Sequence, residues 1–102
     1  MPISVVLESE RGEVVERVSD ARGLLSRLLP DVGSEGYCLL AYIDRYGDTV
    51  FNRLQAPRFL LEWELTEAKA QEVAERTLCR SIRLLFEKMQ SEPHLYVRFI
   101  GD

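Results

Sequence analysis

A chain of 102 residues has room for one domain around one hydrophobic core, so residues 1–102 read as a single domain. With 46% hydrophobic and 29% charged residues the composition excludes a disordered or fibrous chain. A net charge of −4 lacks the basic excess of a general nucleic-acid binder and is repelled by anionic lipid headgroups, so neither nucleic acid nor membrane is expected as a partner.

No segment approaches the ~18 consecutive apolar residues that span a bilayer. The first residues lack the basic region and apolar run of a signal peptide. Cys38 and Cys79 sit in apolar contexts and are expected to be buried free thiols, as in a reducing cytoplasm.

In chain order, the β-rich runs Ile3–Glu8 and Glu13–Val18 flank Ser9-Glu10-Arg11-Gly12, which predicts a hairpin with Gly12 at positive φ. Ser19 is placed to cap a short helix, with Asp20 in its first turn and Leu24, Leu25, Leu28 and Leu29 on one stripe. Pro30 stops it, and Pro30–Gly36 reads as a polar, glycine-rich loop. Tyr37–Ile43 and Thr49–Phe51 then flank the polar turn Asp44–Asp48, predicting a second hairpin with Gly47 at positive φ.

Pro57 suits the first position of a helix. Arg58–Leu65 alternates like a strand, but its stacking at i, i+4 and its Leu and Glu residues favour helix. Thr66–Gln90 predicts a long helix capped by Thr66, with Ala70, Val73, Ala74, Leu78, Ile82, Leu85, Phe86 and Met89 on its dry side. Glu72/Arg76 and Arg83/Glu87 are expected as ion pairs on its wet side. His94–Ile100 carries apolar or aromatic residues on both faces, which places this strand inside a sheet. The order β-β-α-β-β-α-α-β predicts an α+β fold: an antiparallel-rich sheet of about five strands with helices packed over one face.

Asp44, Asp48 and Asn52 are the densest group of oxygen donors, spaced by four around Gly47. Such donors can hold a divalent cation, but the spacing does not fit an EF-hand, and ordinary turn chemistry explains it. Glu62 and Glu64 flank Trp63, and a carboxyl against a large apolar ring can be pushed toward catalytic pKa values. Residues two apart do not share a helix face, so a solvated helix surface is expected there. One histidine, His94, and two separated cysteines complete no familiar nucleophile set or zinc site, and the glycines form no phosphate loop. No catalytic residue, metal or cofactor is therefore assigned. Arg76, Arg80 and Arg83 line one side of the long helix, diluted by Glu72, Glu75 and Glu87 into an ion-pair face.

Tyr42, Tyr46, Phe51, Phe59, Trp63, Tyr96 and Phe99 surround the second hairpin and the last strand in this reading, either as core and rim or as an interaction surface. IDRYGDTVFNRLQ, with the terminal HLYVRFIGD, resembles a group of small bacterial proteins of unknown function that carry an Asp-x-Tyr-Gly-Asp-Thr-Val-Phe-Asn core. The matching positions are Asp44, Tyr46, Gly47, Asp48, Thr49, Val50, Phe51 and Asn52, with Arg45 where proline is expected. The resemblance implies a bacterial source and no assigned activity.

The expectation is a small, cytoplasmic, non-catalytic protein-interaction module that binds another protein or a second copy of itself. Its anchors are Arg45, Tyr46, Arg53 and Trp63, with Asp48 beside them as a binding residue. The alternative is a small-molecule or divalent-metal-dependent enzyme or binding protein centred on the Asp44/Asp48 turn, with Asp48 as acid/base or ligand.

Overall fold

A computed structural model describes residues 3–20 and 22–101; Met1, Pro2, Ala21 and Asp102 lie outside that description. Strands β1 (Ser4–Ser9), β2 (Val14–Ser19), β3 (Asp48–Phe51) and β4 (Leu95–Ile100) form one antiparallel sheet in the order β2-β1-β4-β3. β1 and β2 are the predicted first hairpin, closed by Ser9 N donating to Glu13 O at 2.9 Å, with Gly12 at φ +82°. Leu7 faces Glu16 while Glu8 faces Val14, so Val15 is an extra residue that bulges the β2 edge. β4 lies between β1 and β3, as its two apolar faces predict. Its Val97 and Phe99 share the buried face with Val5 and Leu7 of β1 and Phe51 of β3.

The sheet has four strands where about five were expected, and the order is β-β-α-β-α-α-β. Tyr37–Ile43 is not a strand: it runs through a 3₁₀ turn, Leu40–Tyr42. Its apolar residues serve the core directly, with Leu40, Ala41 and Ile43 buried. The backbone N–H groups of Cys38, Leu39 and Leu40 go to the Glu62 carboxylate and are lost to any strand ladder. β3 is left without a hairpin partner and pairs with β4 as an edge strand.

Helix α1 is the single turn Leu25–Leu28. Asp20 rather than Ser19 serves its start, with Oδ1 accepting from Leu24 N at 2.8 Å and Oδ2 from Leu25 N at 2.7 Å. Ser19 is committed to β2. Helix α2 (Ala56–Glu67) begins at the predicted Pro57 turn, and α3 spans Val73–Ser91. The expected cap, Thr66, lies inside α2, fully buried, so the chain turns after it and not at it. Glu75 supplies the start of α3: its carboxylate accepts from Gln71 N and Glu72 N, both at 3.0 Å. An acid in the first turn also suits the helix dipole.

The turn folds α3 back along α2. Phe59 stacks on Phe86 at 6° between ring planes, Trp63 Nε1 donates to Cys79 O at 3.0 Å, and Arg83 bridges Glu67. Of the two expected pairs on α3, Arg83–Glu87 forms at 4.0 Å, whereas Glu72 meets Arg22 and Arg76 bonds Gln71 O. Phe51, Phe59, Phe86 and Phe99 close the space between helices and sheet as mutually tilted or stacked rings. Phe59→Ala removes a ring that meets Phe51, Trp63, Phe86 and Phe99 and is expected to cost about 3–5 kcal/mol of unfolding free energy, read by urea denaturation.

Candidate functional site

The segment between α1 and β3 carries the candidate surface, and a buried carboxylate fixes where it starts. Glu62 is 1% exposed on the inner side of α2, while Glu64 is exposed. Its Oε2 accepts from Cys38 N at 2.9 Å and from Arg58 Nε at 2.7 Å; Oε1 accepts from Leu39 N at 2.9 Å and Leu40 N at 3.0 Å. Burial alone would push its pKa up, but the three N–H groups and the guanidinium together hold it below the ordinary carboxylate range. Glu62 is thus neither on the solvated helix surface expected for it nor raised by Trp63.

Arg58 also reaches Gly36 O and Cys38 Sγ, each at 3.3 Å. Cys38 is a free thiol as expected but exposed, because its backbone, not its side chain, faces Glu62. Cys79 is the buried thiol, pushed up to about 11 by burial.

The turn after the 3₁₀ segment is tied down at several points. Asp44 Oδ1 accepts from Tyr46 N at 2.9 Å, and Asp44 N donates to Thr49 Oγ1 at 2.8 Å. Gly47 does not adopt the positive φ expected of it; a Cβ there would lie 2.6 Å from Asp44 Oδ2, so a larger residue would have to displace the wrapped carboxylate. Gly101 N donates to Gly47 O at 2.7 Å, and a Cβ on Gly101 would collide with the Arg45 carbonyl. Arg45 Nη1 donates to Ser26 O at 2.8 Å and Nη2 to Leu29 O at 3.0 Å, a cation on the carbonyl end of α1.

These fastenings frame an open recess of about 300 Å³ lined by Val32, Ala41, Tyr42, Ile43, Arg45 and Tyr46, among others. Ala41 and Ile43 are buried at its floor, while Val32, Tyr42 and Tyr46 stand at 71%, 63% and 78% exposure. Of the five expected binding residues, Arg45, Tyr46, Asp48, Arg53 and Trp63, only Arg45 and Tyr46 meet here, and Arg45 is largely occupied by α1. Asp48 lies away on the open sheet face, where Arg98 bridges it at 3.1 Å and Glu8 at 2.8 Å. Arg53 is exposed in the 3₁₀ turn Arg53–Gln55. Trp63 is fully enclosed in the core and offers a partner no surface.

Asp44 and Asp48 have different partners within the chain: Asp44 bonds its own turn at Tyr46 N, and Asp48 bridges Arg98. Among the described residues no group of three or more His, Cys, Asp or Glu is placed to hold a metal ion. Val32, which lines the recess, was not singled out in the sequence. Tyr42 was counted among the surrounding aromatics, but reading a strand there hid its outward aim. Among the described residues no helix is long and apolar enough to cross a membrane. No protein-family model, curated protein or solved structure matches this chain.

Glu62→Gln removes the charge while keeping the size, and the variant is expected to lose about 1–3 kcal/mol at neutral pH. Because folding lowers this pKa, the stabilisation is present above the unfolded value of about 4.3 and disappears as pH falls through the folded one. Urea midpoints of wild type and variant should accordingly differ at pH 7 and converge in acid; a gap that stays constant with pH would refute the charged role.

Proposed function

We propose that this chain is a small, non-catalytic protein-interaction module of the bacterial cytoplasm, whose contact residues are Tyr42, Tyr46 and Val32 around the recess. The observation that carries this reading is two tyrosines and a valine, all exposed, on a backbone that Glu62, Arg45 and Gly101 hold in place. Tyrosine contributes large contact area with few rotatable bonds, and a backbone already fixed loses little further entropy on binding. The floor of Ala41 and Ile43 can accept an apolar side chain of the partner, with Asp31 and Asp44 at the rim to favour a basic neighbour. The Asp44–Asn52 resemblance supports the bacterial placement.

The test is capture of the partner from its native cytoplasm, followed by titration with Tyr42→Ala, Tyr46→Ala and Arg53→Ala proteins. Each tyrosine variant is expected to weaken binding at least about 10-fold, about 1.4 kcal/mol, with an unchanged melting midpoint. Arg53→Ala should bind as wild type. Undiminished affinity in the double tyrosine variant would overturn the proposal.

A further inference from the structure

A groove of about 370 Å³ lies between segments 52–54 and 93–96 and shares no lining residue with the Tyr42–Tyr46 recess. Phe51 faces Val97 in the sheet register, so Asn52 and Tyr96 adjoin where the β3–β4 pair ends. A volume of this order suits a small molecule.

The lining of this groove carries no carboxylate. Four other grooves of similar size all do: Asp31 and Asp44 in the recess, Asp20 beside α1, Glu16 and Glu87 along α3, Glu10 and Glu13 at the first hairpin. In a chain of net charge −4 that exception marks the groove as the one fitted to an anion.

Its polar groups are donors that the fold leaves over. Asn52 Oδ1 is committed to Leu54 N at 2.9 Å and Gln55 N at 3.2 Å, so the Nδ2 end of the amide is turned away from the cap. Among the described residues Asn52 Nδ2, the exposed Arg53 guanidinium and the Tyr96 hydroxyl have no hydrogen-bond or ion-pair partner. Acids around the groove are already engaged. Glu8, opposite Tyr96 on β1, bridges Arg98 at 2.8 Å, Glu10 meets His94 Nδ1 at 3.2 Å, and the field of Glu92 acts on Lys88. Pro93, Leu95 and the 85% exposed Leu54 supply apolar surface. His94 completes the wall at φ +63°, the one non-glycine residue at positive φ among the described residues. Such conformations cost energy and gather where a chain clamps a ligand.

We propose that this groove binds a small organic oxyanion, a molecule with an apolar body and one carboxylate or phosphate. The planar fork of Arg53 pairs with two oxygens at once. Asn52 Nδ2 and the Tyr96 hydroxyl donate to the same group, and the apolar body rests on Leu54, Pro93 and Leu95. The contacts face solvent, where charges are screened, so binding is weak and falls as salt rises. The recess and this groove are separate surfaces, and either proposal can fail alone.

The test titrates four probes into the isotope-labelled protein at low salt, up to about 20 mM, with amide chemical shifts as the readout. Phenylacetate or phenyl phosphate should move the signals of residues 52–54 and 94–96, and the tighter of the two identifies the oxyanion. Inorganic phosphate should bind more weakly and benzyl alcohol not at all. Arg53→Gln should weaken binding at least about 10-fold. Asn52→Asp keeps an oxygen to cap the turn but sets a charge of the ligand's own sign in the groove, and should abolish binding at an unchanged melting midpoint. Absence of shifts with both aromatic anions overturns the proposal. So does binding that survives both variants, or inorganic phosphate or benzyl alcohol binding as tightly as the aromatic anions.

Discussion

The arrangement of this molecule turns on one buried carboxylate. Removing a charge from water costs several kcal/mol unless it is fully hydrogen-bonded, and Glu62 meets that condition with three consecutive backbone N–H groups and one guanidinium. The N–H groups it takes are those a strand would have used. The apolar segment before Asp44 is thereby held off the sheet, its Leu40 and Ile43 drop into the core, and Tyr42 points outward. The four-stranded sheet, the edge position of β3 and the recess all follow from that placement.

Within the Asp44–Asn52 segment nearly every polar residue is accounted for by bonds that shape the chain. Asp44 wraps its own turn, Thr49 accepts from Asp44 N, and Asp48 joins Arg98 on the open face. Asn52 caps the following 3₁₀ turn through Leu54 N at 2.9 Å, while Gln55 Oε1 accepts from Asn52 N at 2.9 Å. Tyr46, 78% exposed, is its aromatic member that faces solvent. A motif this polar suggests chemistry when read as letters. Once folded it is a set of fastenings that present one aromatic ring.

Exposed apolar side chains stand on several surfaces of the molecule, among them the recess around the tyrosines and the outer side of α2. They differ in kind. The recess is small, fixed from behind and shaped to accept a protruding group, whereas the α2 face is a ridge of Leu61 and Leu65 flanked by the exposed Arg58 and Glu64. The contrast between α2 and α3 shows why a periodicity argument must weigh both sides of a helix. α3 buries a continuous stripe against the sheet and α2 and carries arginines and glutamates outside it, with Val73 and Leu84 as apolar exceptions at 70% and 54% exposure.

The sequence by itself determined the first hairpin, the interior position of β4, the Pro57 start of α2 and the dry stripe of α3 from Leu78 to Met89, though not its expected start, since Ala70 precedes the helix and Val73 is 70% exposed. Each follows from local turn chemistry or from a period of two or 3.6 residues, which neighbours along the chain suffice to set. The tertiary structure alone decided that Tyr37–Ile43 is not a strand, that Glu62 is buried and Glu64 is not, and that Trp63 belongs to the core while Tyr42 does not. An apolar run looks the same whether its backbone bonds a neighbouring strand or a carboxylate more than 20 residues away. Which of the two happens depends on what long-range packing brings beside it, and that information is absent from local patterning.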